Sequence, residues 1–171
     1  MKTLSTWHLS LSRRLTSFYF SKINVHGERS TRPTLYIGSH RNGATDGQVY
    51  TWAIGNTPSL VSIQILRKWY LGLIFDGIPV VRPQDSERYG IAKNAVRSPI
   101  EEAVQQLAAG GSLSILAEGT SEWDYQPTEY KNGMAKIVAQ LKAHNIDFAV
   151  QAVGVFYTKP DGFRSRVSVI L

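Results

Sequence analysis

Apolar positions in this chain repeat with two periods, one helical and one alternating, and the switches between them divide it into short elements. Between residues 5 and 20, Trp7, Leu11, Leu15, Phe18 and Tyr19 recur near helical spacing, with Arg13, Arg14 and several serines between them. This predicts an amphipathic helix that either lies in a membrane interface or packs on the domain's own core. Ile23 to Val25 and Thr34 to Ile37 read as two strands around a polar turn through Gly27 and Pro33. Beyond Gly38 the loop His40 to Thr45 leads to Asp46, after which Val49, Trp52 and Ala53 predict a helix that stops at Gly55-Asn56, with Pro58 just beyond. Leu60 to Ile63 predicts a strand, and Arg67 to Phe75 a short helix rich in Trp69, Tyr70, Leu71, Leu73, Ile74 and Phe75. So apolar a segment is either a buried helix, or the wall of an acyl-chain groove or a membrane-contacting edge.

Ile78 to Val81 predicts a strand ending at Arg82, and Pro79 makes it short or an edge strand, because proline donates nothing to a ladder. A helix is expected over Pro99 to Ala109, with Ser98 as cap, Pro99 first, Glu101 completing a capping box and Gly110-Gly111 as terminator. Leu113 to Leu116 reads as a strand. Lys131 to Ala143 reads as a helix with Met134, Ile137, Val138 and Leu141 on one face and Asn145 as its stop, and strands Phe148 to Tyr157 and Val167 to Ile170 follow. Strands alternating with helices predict a single α/β domain with a mainly parallel, mixed sheet flanked by helices. Ligands of such sheets gather beyond the carboxyl ends of the strands, where His40, Arg82 and Glu118 all fall.

His40 and Asp46 are the first candidate chemistry. An imidazole accepts a proton from an alcohol near neutral pH when its other ring nitrogen is held by a carboxylate that fixes the tautomer and steadies the imidazolium. Taken singly, each candidate has a plainer reading: Asp46 as a helix cap, Arg82 as a solvated strand-end cation, Glu118 as a turn carboxylate, Thr120 as a turn cap. The order of segments changes the weight. Ser39-His40-Arg41-Asn42-Gly43-Ala44-Thr45-Asp46 is followed by Gly77-Ile78-Pro79-Val80-Val81-Arg82, then Glu118-Gly119-Thr120, then Ala149-Val150-Gln151-Ala152-Val153-Gly154.

This ordered set, over roughly residues 23 to 171, resembles the glycerolipid acyltransferases, which include 1-acylglycerol-3-phosphate and lysophospholipid acyltransferases. The resemblance implies an acyltransferase domain over 23–171 after an N-terminal amphipathic helix at 1–22. It implies His40 as general base with Asp46 as its partner, and Arg82, Glu118, Gly119 and Thr120 as acceptor-binding groups. Three positions depart from the family pattern. Five residues separate His40 from Asp46 where four are usual, and Gly43 is the position able to absorb the extra one, through backbone angles closed to other residues. Ser121 stands where an arginine usually follows the threonine, leaving Arg82 and Lys131 as the candidate phosphate partners, and Ala152 replaces a common proline. Leu171 ends the chain within an apolar strand where family members continue, so a short or truncated form is expected.

Composition narrows the partners. The 171 residues suffice for one domain with a core and are too few for two. Without cysteine there is no disulfide, thiolate metal site or cysteine nucleophile, and His8, His26, His40 and His144 lack ligand spacing, so no metal and no resident cofactor are expected. The net charge of +6 favours anionic partners. Basic residues are spread out rather than interleaved with aromatics, which favours a membrane surface over nucleic acid. No run of about eighteen apolar residues predicts a spanning helix, and Arg13-Arg14 interrupts any signal-peptide centre, so the expected location is cytoplasmic, peripheral to the inner face of the membrane. The expected reaction moves a fatty acyl group from acyl-CoA or acyl carrier protein to a lysophospholipid or 1-acylglycerol-3-phosphate hydroxyl. The alternatives are N-acylation of an amine and a catalytically silent lipid-binding module. A serine hydrolase is disfavoured because no Gly-x-Ser-x-Gly elbow occurs.

Overall fold

The computed structural model describes residues 1–91, 97–119, 129–160 and 162–171. Fourteen elements follow one another: α1 (Thr6–Tyr19), β1 (Lys22–His26), β2 (Thr34–Gly38), α2 (Ala44–Ile54), β3 (Ser59–Ser62), α3 (Ile63–Leu66), α4 (Trp69–Gly72), β4 (Gly77–Val80), α5 (Pro83–Tyr89), α6 (Pro99–Ala108), β5 (Leu113–Leu116), α7 (Gly133–Ala143), β6 (Ala149–Tyr157) and β7 (Arg166–Ile170). They build one α/β domain around a seven-stranded sheet of order β1-β7-β6-β2-β5-β3-β4. Every neighbouring pair is parallel except β6 with β7. The mainly parallel, helix-flanked sheet expected from the alternation of periods is therefore present.

The pleat sends successive side chains to opposite faces, and each face has its own core. Tyr36, Val153, Val155, Val167 and Val169 meet Val49, Tyr50, Ala53 and Ile54 of α2, together with Phe20. On the other face Leu35, Ile78, Leu113 and Ile115 meet Ala103 and Leu107 of α6 and Ile137 and Leu141 of α7. Central β2 thus contributes Leu35 to one core and Tyr36 to the other, both almost fully buried.

Several expectations are refined. Helix α1 forms over the predicted range, but the side it turns inward is the polar one: His8, Ser12 and Thr16, spaced by four, are buried. Trp7 is 59% exposed and Phe18 67%, so the aromatic side faces outward while the polar side packs on the domain. β1 and β2 do not pair across their turn; β1 lies at the sheet edge on β7, and β2 in the centre. The apolar segment after β3 is not one helix but two single turns, α3 and α4, neither with a buried residue, and Trp69 is 78% exposed, which removes the buried-helix reading. Pro79 sits in β4, the edge strand it predicted. Ser98 and Pro99 start α6 as expected, yet the Ser98 side chain makes no capping bond. α5 is an addition that the periodicity did not reveal.

Candidate active site

Parallel strands place their carboxyl ends on one side, and three of the candidate segments meet there. His40, Arg82 and Glu118 each lie two residues beyond the end of β2, β4 and β5 respectively. Between His40 and Asp46 the chain turns through Gly43, which caps α2 with φ 55° and ψ −135°, a conformation open to glycine and strained for residues with a Cβ. That turn accommodates the fifth intervening residue. Asp46 then falls in the first turn of α2 with its carboxylate directed back at the loop, where Oδ2 lies 2.9 Å from His40 Nδ1 and accepts the Asn42 backbone N–H at 2.7 Å. The carboxylate is fully buried and the imidazole 20% exposed. With Nδ1 engaged, Nε2 is the ring nitrogen left for a substrate proton.

His40 borders a cavity of about 660 Å³, within the range of small-molecule sites, roughly 300–1,000 Å³. Its walls are predominantly apolar: Leu60, Ile65 and Phe75 from the β3–β4 region, Ile100 of α6, Ile115 of β5, and Met134 and Ile137 of α7. Of the Arg67–Phe75 segment Phe75 borders this cavity, while Trp69 and Tyr70 point outward. At the polar side stand Arg82, Gly119 and Lys131. Arg82 Nη2 donates to the Gly119 carbonyl at 2.7 Å, and Lys131 is tied to the same turn through its backbone N–H on the Ala117 carbonyl at 2.9 Å. Two basic residues are thereby brought to one side of the cavity.

Glu118 reaches the same place by a different route from the one expected. Only 2% exposed, it lies beneath the histidine loop, where Oε2 accepts the His40 backbone N–H at 3.3 Å and Oε1 has no partner among the described residues. It bonds to the His40 loop, and among the described residues of that turn Gly119 borders the cavity. Thr120, with Ser121, lies outside the described residues. Among the described residues no cluster of histidines and carboxylates is arranged to hold a metal.

Two tyrosines were missed by sequence reasoning. Tyr50 on α2 packs across Gly38, where a Cβ would collide with its ring, and donates to the Ser39 carbonyl at 3.1 Å. Burial pushes its hydroxyl well above the ordinary tyrosine range, so it remains a donor. Tyr157 on β6 donates to Asp46 Oδ1, the oxygen that His40 leaves open. The alternation along β6 marks Tyr157 as inward-facing; its partner, 111 residues earlier, could not be read from spacing.

No protein-family model matches the sequence, and neither does any curated protein. Among solved structures the chain is similar to the 1-acyl-sn-glycerophosphate (LPA) acyltransferase PlsC from Thermotoga maritima, with a TM-score of 0.58 at 17% sequence identity. The similarity covers 95% of this chain and 65% of that one, so this chain spans just under two-thirds of the length of the protein it resembles. At that identity the comparison speaks to architecture, and what it shows is that this chain has the fold of a PlsC-type acyltransferase.

Proposed function

We propose that this protein is an acyltransferase that moves a fatty acyl group from a thioester, acyl-CoA or acyl carrier protein, to the hydroxyl of a lysophospholipid or 1-acylglycerol-3-phosphate. The observation that carries the reading is the 2.9 Å contact between His40 Nδ1 and Asp46, made at the edge of an apolar cavity whose polar side presents Arg82 and Lys131. In this reading His40 Nε2 takes the proton of the acceptor hydroxyl as its oxygen attacks the thioester carbonyl carbon. Collapse of the tetrahedral intermediate breaks the carbon–sulfur bond, and the departing thiolate takes the proton from the imidazolium. General-base help of this kind contributes about a hundred- to ten-thousandfold. The apolar walls suit the acyl chain, and Arg82 with Lys131 suits the acceptor phosphate, Arg82 through its forked donors.

A lipid acceptor places the protein at a membrane surface, and the exposed side chains fit that setting. Trp7, Leu15 and Phe18 on α1 lie outward with Arg13 and Arg14 exposed between them, and Trp69, Tyr70 and Leu73 lie outward beside exposed Arg67 and Lys68. The two regions are joined by Gln48, which accepts from the Ser12 hydroxyl and donates to the Ile74 carbonyl at 2.9 Å. No helix of the described residues is long and apolar enough to cross a membrane. We infer peripheral attachment to the anionic inner face of the cytoplasmic membrane.

The test is purified protein incubated with acyl-CoA or acyl carrier protein and a panel of lysophosphatidate, neutral lysophospholipids, glycerol phosphate and amine acceptors, with products identified by mass. New ester on a phosphate-bearing acceptor is the expected result. An amide product would reassign the acceptor class, and lipid binding without transfer to any acceptor would make the protein a silent lipid-binding module.

A further inference from the structure

The Asp46 carboxylate has a third partner that lies far from it in sequence. β6 outruns β2: Gly38, the last residue of β2, pairs with Val153, while β6 continues four residues further to Tyr157. That extension is held from the other side by β7, with Tyr157 opposite Val167, and its ring packs against Phe20 at 5.8 Å between centroids. A rigid strand end therefore delivers the phenol to the back of the dyad. There it donates to Asp46 Oδ1 while Oδ2 takes His40 Nδ1 and the Asn42 N–H.

We propose that Tyr157 is a positioning residue of the active site, which clamps the Asp46 carboxylate so that Oδ2 is presented to His40 in one orientation. A carboxylate held on one oxygen alone can rotate about its Cβ–Cγ bond and spread His40 over several ring orientations. The tyrosine removes that freedom and gives the buried Oδ1 a hydrogen-bond donor. Burial, reinforced by the charge of Asp46, pushes the Tyr157 hydroxyl far above its ordinary value, so it keeps its hydrogen and donates at any working pH. The inference rests on the proposed general-base role of His40 for its kinetic consequence, but the clamp itself has a readout that needs no turnover.

Tyr157→Phe tests it, because the ring still fills its place against Phe20 and only the hydroxyl is lost. In the wild type the His40 Nδ1–H, shielded by Asp46, is expected as a low-field proton resonance, and in Tyr157→Phe that resonance broadens through exchange with water. With an acceptor that supports transfer, kcat falls about ten- to a hundredfold, the cost of one hydrogen bond to a charged group, while both KM values stay within about twofold. In an Asp46→Asn background the same change has no further effect. A Tyr157→Phe protein that keeps a sharp resonance, keeps wild-type kcat, or loses equally in both backgrounds overturns the proposal. A wild type that transfers no acyl group at all would refute the proposed function, and the resonance would still decide the clamp.

Discussion

At the scale of single residues, the pairing of His40 with Asp46 was legible because it is local. Both lie in one strand-to-helix connection, and the requirement that a working imidazole be held at its second nitrogen singled out Asp46 before any geometry was known. The unusual spacing between them was legible too, as a demand on Gly43, whose φ of 55° meets it. Gly43→Ala is expected to cost about 1–3 kcal/mol in urea unfolding, the price of a strained backbone position, and to lower transfer activity by tilting the His40 loop. Unchanged stability and activity would show that the loop does not depend on this turn. The contacts of Glu118 and Tyr157 were not legible. The resemblance implies acceptor binding for Glu118, but whether a carboxylate at a strand end faces substrate or backbone depends on how the neighbouring loop is draped, and here it faces the His40 N–H.

At the scale of elements, strong periodicity predicted α1, α2, α6, α7 and the strands of the sheet, whereas elements held by other means escaped. α5 carries no apolar stripe; its sequence Pro-Gln-Asp-Ser-Glu-Arg-Tyr is helical because Pro83 opens it and Asp85 accepts the Arg82 backbone N–H at 3.2 Å. α1 shows a second way for a pattern to mislead, since its most conspicuous residues are the ones left outside. Its buried stripe includes His8, which burial holds below the ordinary histidine value of 6.5. The unfolded chain therefore takes up a proton there more readily than the folded one, so folding loses stability as pH falls below about 6.5 and regains it above. Thermal melts of His8→Gln should show a shallower loss between pH 7 and 5 than the wild type. An identical pH dependence of the two would mean that α1 docks without regard to the charge of His8.

At the scale of the whole molecule, the proposed function draws on two features of the fold: a row of strand ends that gathers His40, Arg82 and Glu118, and an outward aromatic and basic surface on α1 and the α3–α4 turns. The formal charge of +6 leads to an expectation of anionic partners, and in the proposed reading the exposed aromatic and basic surface is where a membrane would meet them. Sedimentation with vesicles containing anionic phospholipid should capture the wild type, release it progressively as salt is raised, and bind Trp7→Ser and Phe18→Ser roughly tenfold more weakly. Equal binding by the variants would move the contact elsewhere.

The central claim, that His40 draws the proton from a lipid acceptor, is tested most directly by comparing turnover of His40→Ala with the wild type on the same acyl thioester and lysophosphatidate, with matching circular dichroism to show an intact fold. The account predicts that the variant loses at least about a hundredfold in kcat, the smallest contribution expected of a general base. Turnover in His40→Ala equal to that of the wild type would contradict it.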